Sequence, residues 1–171
     1  MLLEFSPETP KELIFESVKD YLQKQKLKIE KFDNGRPWGG FFVIDEIEAD
    51  KFVSLYFNSF STQGLKISGK LSPKILIVAP HQRLSWQFHH RRAEIWKLIG
   101  GTAGVITSDN DIESNRTDLN IGDIIQLKQG ERHRLIGLDA WGIVAEIWRH
   151  TDHTNPSDED DIIRLQDDFG R

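Results

Sequence analysis

The chain has 171 residues, no cysteine and a formal charge of −5. That length suits one domain with a real core; the missing cysteines exclude disulfides and thiolate metal sites, and the acidic balance argues against a nucleic-acid surface. With 38% hydrophobic residues, among them 10 Phe, 5 Trp and 2 Tyr, the chain is expected to fold on its own.

The first residues carry Glu4, Pro7 and Pro10 and lack the apolar core of a signal peptide. No run approaches the roughly 18 apolar residues of a membrane span, so a cytoplasmic protein with no membrane partner is expected. Thr9-Pro10-Lys11-Glu12 reads as an N-cap, a first-turn proline and a capping-box glutamate. Ile14, Val18, Tyr21 and Leu22 follow at helical spacing, opposite a polar face of Lys11, Lys19, Gln23, Lys24 and Lys26 that reads as solvated surface. Residues 1–34 are therefore expected to form a helical arm, packed on the main domain or on the second subunit of a homodimer.

Asn34-Gly35 marks a turn, after which short apolar runs alternate with Gly, Asp, Asn and Ser through residues 35–171. Val53, Leu55 and Phe57 alternate with polar neighbours and predict a strand. Further strands are expected at 75–79, 84–88, 94–99, 102–107, 123–127, 133–136 and 143–148. Such a set of short strands predicts an all-β jelly roll or small barrel. The acidic run Asp158-Glu159-Asp160-Asp161 reads as a solvated turn.

The segment 80–101, PHQRLSWQFHHRRAEIWKLIGG, concentrates metal-ligand types. Gln87 and His89 lie two apart, so on one strand they share a face. Glu94 opens a strand whose same-face neighbours, Trp96 and Leu98, are core types, so it should point inward, where an unpaired carboxylate is costly unless a cation meets it. His133, after the Gly130 turn, supplies a fourth candidate. Two imidazoles, a carboxylate and an amide oxygen suit Zn, Mn, Fe, Co or Ni, and ligand type alone does not choose among them; Zn is the ion expected first. His81, His150 and His153 read as structural histidines.

Gln87-x-His89-x4-Glu94, with Gly100 and the later Gly122 and Gly130-x2-His133, resembles the two cupin motifs, glutamine standing where the first histidine usually stands. Arg36-Pro37-Trp38-Gly39, Gln82-Arg83-Leu84-Ser85, His89-His90-x-Arg92-Ala93-Glu94-x-Trp96, Gly101-Thr102-Ala103, His133-Arg134-Leu135 and the tail 160–171 resemble type II mannose-6-phosphate isomerases. In those proteins a cupin domain is often fused behind a guanylyltransferase domain, which has no counterpart here. The stretch 60–72 looks like an insertion, and His81, Arg91, Lys128 and Gly137 depart from the family's usual residues.

The resemblance implies a cupin jelly-roll barrel with an N-terminal helical arm, and reversible conversion of an aldose phosphate to a ketose phosphate, mannose 6-phosphate and fructose 6-phosphate being the family's pair. Proton transfer between C1 and C2 asks for a divalent metal as Lewis acid and a general base, for which His90 and Glu131, flanking the ligands, are candidates. The phosphate asks for arginines. Arg83, Arg91, Arg92, Arg132, Arg134 and Arg164 crowd the ligand-bearing segments; Arg83, Arg134 and Arg164 are expected to bind substrate, and Arg92, expected on a turn at the metal mouth, to take part in catalysis. A non-catalytic cupin that binds a sugar phosphate, or an isomerase of another sugar phosphate such as a heptose phosphate, is the alternative.

Overall fold

The computed structural model describes residues 3–67 and 69–170. Arg171, which closes the tail motif, and Ser68, inside the 60–72 stretch, lie outside the described residues, as do Met1 and Leu2.

Among the described residues there are nine strands: β1 (Ile29–Asp33), β2 (Gly39–Ile44), β3 (Lys74–Val78), β4 (Trp86–Phe88), β5 (Arg92–Ser108), β6 (Thr117–Leu119), β7 (Ile124–Leu127), β8 (Arg132–His150) and β9 (Ile163–Gln166). All paired strands are antiparallel. The spine is the β5–β8 ladder, which runs from Arg92↔His150 to Ser108↔Arg132. Each of these long strands serves both halves of the barrel. The 142–146 part of β8 pairs with β3, which continues to β2 and β1, while its start pairs with β4 and, through it, β9. β5 pairs with β7 in its first half and β6 in its second.

The bend that lets one strand serve two sheets lies at Gly100-Gly101, where the register slips twice. Gly101 has φ +66°, and a Cβ there would stand 1.7 Å from the Trp141 carbonyl oxygen. The sequence therefore reads as two strands on either side of the glycines, and likewise around Gly137 and Gly142, where the structure has one bent strand each.

Alternation along the strands sorts side chains into two cores. Ile75, Ile77, Ile143 and Ala145 face outward and are covered by helix α1 (Lys11–Lys24), through Ile14, Val18 and Leu22, and by helix α2 (Ala49–Tyr56), through Phe52 and Val53. Leu76, Val78, Trp96, Leu98 and Val144 face inward and fill the barrel with Trp38 and Leu135. Lys74, Glu94 and Glu146 share the parity of these inward residues.

Three expectations change. The strand predicted from Val53, Leu55 and Phe57 is helix α2, because Ala49, Phe52, Val53 and Tyr56 form a buried stripe at helical spacing and Leu55 is exposed. α1 starts at Lys11 with Pro10 as its cap residue, and no Thr9 side chain closes the first turn. β1, inside the segment read as an arm, pairs with β2, so residues 29–33 belong to the sheet. A third, single-turn helix, α3 (Thr62–Leu65), occupies the stretch read as an insertion.

Beyond β8 the chain folds back, tied by His150, whose Nδ1 accepts from the Ser157 N–H at 3.0 Å while Nε2 meets Ser72 Oγ at 3.1 Å. Burial, reinforced by the charges of Lys70, Arg92 and Arg91, pushes the His150 pKa down to about 4.

Gly101→Ala is expected to cost about 2–5 kcal/mol, the sum of a left-handed backbone and an overpacked contact, seen as a melting temperature lower by roughly 5 °C or more. His150 stays neutral in the fold and protonates when unfolded, so its contribution is complete above pH 6.5 and is lost as pH falls towards 4. Thermal melts of His150→Asn, which keeps an acceptor for Ser157, should show a shallower loss of stability across that window than the wild type.

Candidate metal centre

β4, β5 and β8 bring the ligand-type residues together. Gln87 pairs directly with His133, and Glu94 stands on the inner face of β5 beside Trp96. His89, Glu94 and His133 each place one ligand atom within 4.8 Å of the others, and all three are buried.

The tautomers are fixed from outside the cluster. His89 Nδ1 lies 2.6 Å from the Asp161 carbonyl oxygen, and His133 Nδ1 lies 2.9 Å from that of Glu131. A carbonyl only accepts, so both rings carry their proton on Nδ1 and turn a bare Nε2 inward. His89 Nε2 stands 3.1 Å from Glu94 Oε1, and His133 Nε2 stands 3.4 Å from Glu94 Oε2. Lone pairs thus face lone pairs in a buried site, and Glu94 Oε2 and His133 Nε2 have no hydrogen-bond partner. Such orphaned acceptors are costly without a cation between them, and a nitrogen–oxygen set of this kind fits a divalent metal. His89, Glu94 and His133 could hold such an ion. Gln87 Oε1 accepts from Ser85 Oγ at 2.6 Å while its Nε2 lies 3.5 Å from His89 Nε2; a half-turn of the amide would aim its oxygen at the cluster.

Arg92 holds the cluster rather than the mouth. It is buried, donates Nε–H to Glu94 Oε1 at 2.7 Å, and places a terminal nitrogen 3.2 Å from His89 Nε2. Its other terminal nitrogen donates to Ser157 Oγ and to the Asp158 and Asp161 carbonyls, and its plane lies 3.7 Å over the Trp148 ring. Burial opposes ionisation of Glu94, but its interactions with His89 and Arg92 prevail, and its pKa lies well below the usual carboxylate range. Burial lowers the His89 pKa, so Arg92 is the cation that persists at neutral pH.

Over the cluster opens a cavity walled by Trp38, Trp96 and Trp148, with Gln87 and Glu94 in its lining. Two charged residues in it are absent from the candidates drawn from the sequence. Lys74 is buried, with Nζ 2.6 Å from Glu159 Oε1 and 4.1 Å over the Trp148 ring. Glu146 is buried beside it on β8 and accepts from Trp96 Nε1 at 3.0 Å. Burial, then the Glu94 charge, pushes the Glu146 pKa up to about 7 against the pull of Lys74 and Arg92. Arg36, Arg164 and Glu159 line both this cavity and a neighbouring groove.

The other candidates lie elsewhere. His90 is exposed and meets Phe88 edge-on, and Glu131 accepts from the Lys128 N–H. Arg83 grips Asp168 with two bonds, and Arg134, fully buried, donates to the Leu84 carbonyl, Glu113 and Gln166. Neither arginine is in the cavity lining, whereas Arg164 is, opposite Gln87 in register.

Metal-stripped protein is expected to take up about one Zn or Mn ion per chain in calorimetric titration. His89→Ala and His133→Ala should each weaken uptake by more than the roughly 10–100-fold that loss of an outer-sphere partner costs.

The family model described as mannose-6-phosphate isomerase C-terminal matches residues 51–167. The alginate biosynthesis protein AlgA of Pseudomonas aeruginosa is 30% identical over 139 residues, and a mannose-1-phosphate guanylyltransferase of Escherichia coli is 30% identical over 141. Each alignment covers 80% of this chain and 22% of the relative, so the chain spans about a fifth of the length of these proteins. Among solved structures, the capsular polysaccharide assembling protein CapF of Staphylococcus aureus matches 80% of this chain and 34% of its own at TM-score 0.54 and 12% identity. A recombinant oxalate oxidase in complex with glycolate matches 81% and 61% at TM-score 0.53 and 15% identity. These two likenesses bear on fold alone, and the fold is the cupin barrel with an N-terminal helical arm. Since the family model takes in well over half of its length, the chain belongs to the mannose-6-phosphate isomerase C-terminal family.

Proposed function

We propose that this chain is a metal-dependent aldose–ketose isomerase of a phosphorylated sugar, mannose 6-phosphate and fructose 6-phosphate being the pair that the family's name suggests. The observation that carries this reading is that metal-ligand residues and cations line one cavity: Gln87 and Glu94 together with Lys74, Arg36 and Arg164.

A divalent ion held by His89, Glu94, His133 and Gln87 would act as Lewis acid towards the C1 and C2 oxygens as charge develops on them. The chain's own residues do the rest. Arg92 fixes Glu94 and His89 in place, and the Asp161 and Glu131 carbonyls keep both imidazoles in the ligating tautomer. The three tryptophans exclude water from the reacting carbons. Lys74, Arg36 and Arg164 receive the phosphate, and Glu159, which holds Lys74 Nζ when no anion is bound, gives way to it. Arg83 and Arg134, tied to Asp168 and Glu113, serve the fold in this reading.

The deciding assay is turnover of a panel of aldose phosphates by protein reconstituted with Zn, Mn, Co or Ni. Conversion of mannose 6-phosphate supports the reading; binding without turnover in every metal form would make the chain a sugar-phosphate-binding cupin, and turnover of a heptose phosphate alone would move the substrate. In the active form, Lys74→Met should raise KM roughly 10–100-fold, the worth of one charge-assisted hydrogen bond, with a smaller effect on kcat.

A further inference from the structure

An aldose–ketose isomerase needs a base that reaches the carbon-bound proton, and neither His90 nor Glu131 lines the cavity. Three carboxyls do so among the described residues: Glu94, Glu146 and Glu159. Glu94 belongs to the metal-ligand cluster and is clasped by Arg92. Glu159 sits at the mouth, half exposed, on Lys74. Glu146 stands on the cavity wall between them, outside the ligand cluster, 5% exposed, in the middle of the otherwise apolar run 143–148.

The neighbours of Glu146 on the inner face of β8 are Val144 and Trp148, and its cross-strand partners are Lys74 and Trp96. A buried acid in such a wall is expensive for the fold and is characteristic of a functional site. The indole of Trp96, donating at 3.0 Å to Oε1, fixes the carboxyl within the cavity.

We propose that Glu146 is the group that carries the proton between C2 and C1 of the sugar phosphate. The inference rests on the isomerase reading above. In the open-chain aldose, the Glu146 carboxylate takes the hydrogen from C2. The electron pair of that bond forms the C1=C2 double bond, and the carbonyl pair of C1 moves onto O1, which receives the proton leaving O2. As the O2 pair closes the C2=O2 carbonyl, the double-bond pair takes the proton back from Glu146 at C1. The carboxylate is regenerated, both hydrogens are conserved, and no redox partner is needed. Burial supports the assignment, since it raises the carboxyl's affinity for the proton it has to carry.

The test compares wild type with Glu146→Gln and Glu146→Asp, all metal-loaded. It follows kcat, deuterium incorporation from heavy water at the transferred position, metal content, and binding of a hexitol 6-phosphate, which has the phosphate but no carbonyl. Glu146→Gln is expected to keep its metal and to bind the hexitol phosphate within about threefold of wild type. Its kcat and deuterium incorporation should fall by roughly 10²–10⁴-fold, and Glu146→Asp should recover part of both.

Wild-type kcat in Glu146→Gln overturns the proposal and leaves the isomerase reading standing. Loss of hexitol phosphate binding or of metal along with activity also overturns it, because the role would then be structural. If the glutamine variant does not fold, the aspartate variant decides: a lower kcat at unchanged KM supports the proposal and an unchanged kcat overturns it. A wild type that neither turns over nor exchanges any aldose phosphate defeats the isomerase reading itself, and this inference with it.

Discussion

Inside the barrel, two imidazole nitrogens and a carboxylate point their lone pairs at one another, and much of the surrounding structure keeps them there. Left alone, the three groups would repel or take up a proton. They are held by bonds from outside: the Asp161 and Glu131 carbonyls fix the rings, and Arg92 fixes the carboxylate. Asp161 is the organising residue. Its carbonyl receives His89 Nδ1 and Arg92, while its carboxylate accepts from the His90 and Arg91 amides at 2.9 Å and from Ser157 Oγ at 2.6 Å. One residue of the C-terminal return thereby orients the whole turn between β4 and β5, so site and fold share the same bonds.

How much of this was legible follows from how local each signal is. The spacing of Gln87, His89 and Glu94 within two strands is a local pattern: alternation puts Gln87 and His89 on one face, and Glu94 on the face of the core types Trp96 and Leu98. α2 was misread because a short run can satisfy period two and period 3.6 together, and which face is buried depends on a sheet that the run does not contain. The role of Asp161 was hidden in an acidic run whose neighbours Asp158, Glu159 and Asp160 are indeed exposed. What separates it from them is a set of partners some 70 residues away.

The arginines illustrate a different limit. Their crowding near the ligands suggested anion binding, yet most have acidic partners: Arg83 with Asp168, Arg91 with Asp158, Arg132 with Asp111 and Arg134 with Glu113. These pairs tie loops to strands, and composition cannot distinguish them from a phosphate clamp. Lys74 and Glu146 did leave a trace. Each is a lone charge in an apolar strand, in KILIV and GIVAEIW, and the argument that singled out Glu94 applies to both: a charge with inward parity must have a counterpart.

That counterpart gives the cavity a balance which a static list of residues conceals. Its wall and floor hold Glu94 and Glu146 against Lys74 and Arg92, with Glu159, Arg36 and Arg164 also in its lining. A divalent cation on the floor alone would leave excess positive charge in a low-dielectric space, and a phosphate at the rim alone would leave excess negative charge. Together they compensate, so in the proposed function metal and phosphorylated sugar should each favour the other's binding, a reciprocity that linkage requires of any two ligands sharing a field. Glu159 fits the same balance, since it holds Lys74 until an anion arrives with more charge and more acceptors than one carboxylate can offer.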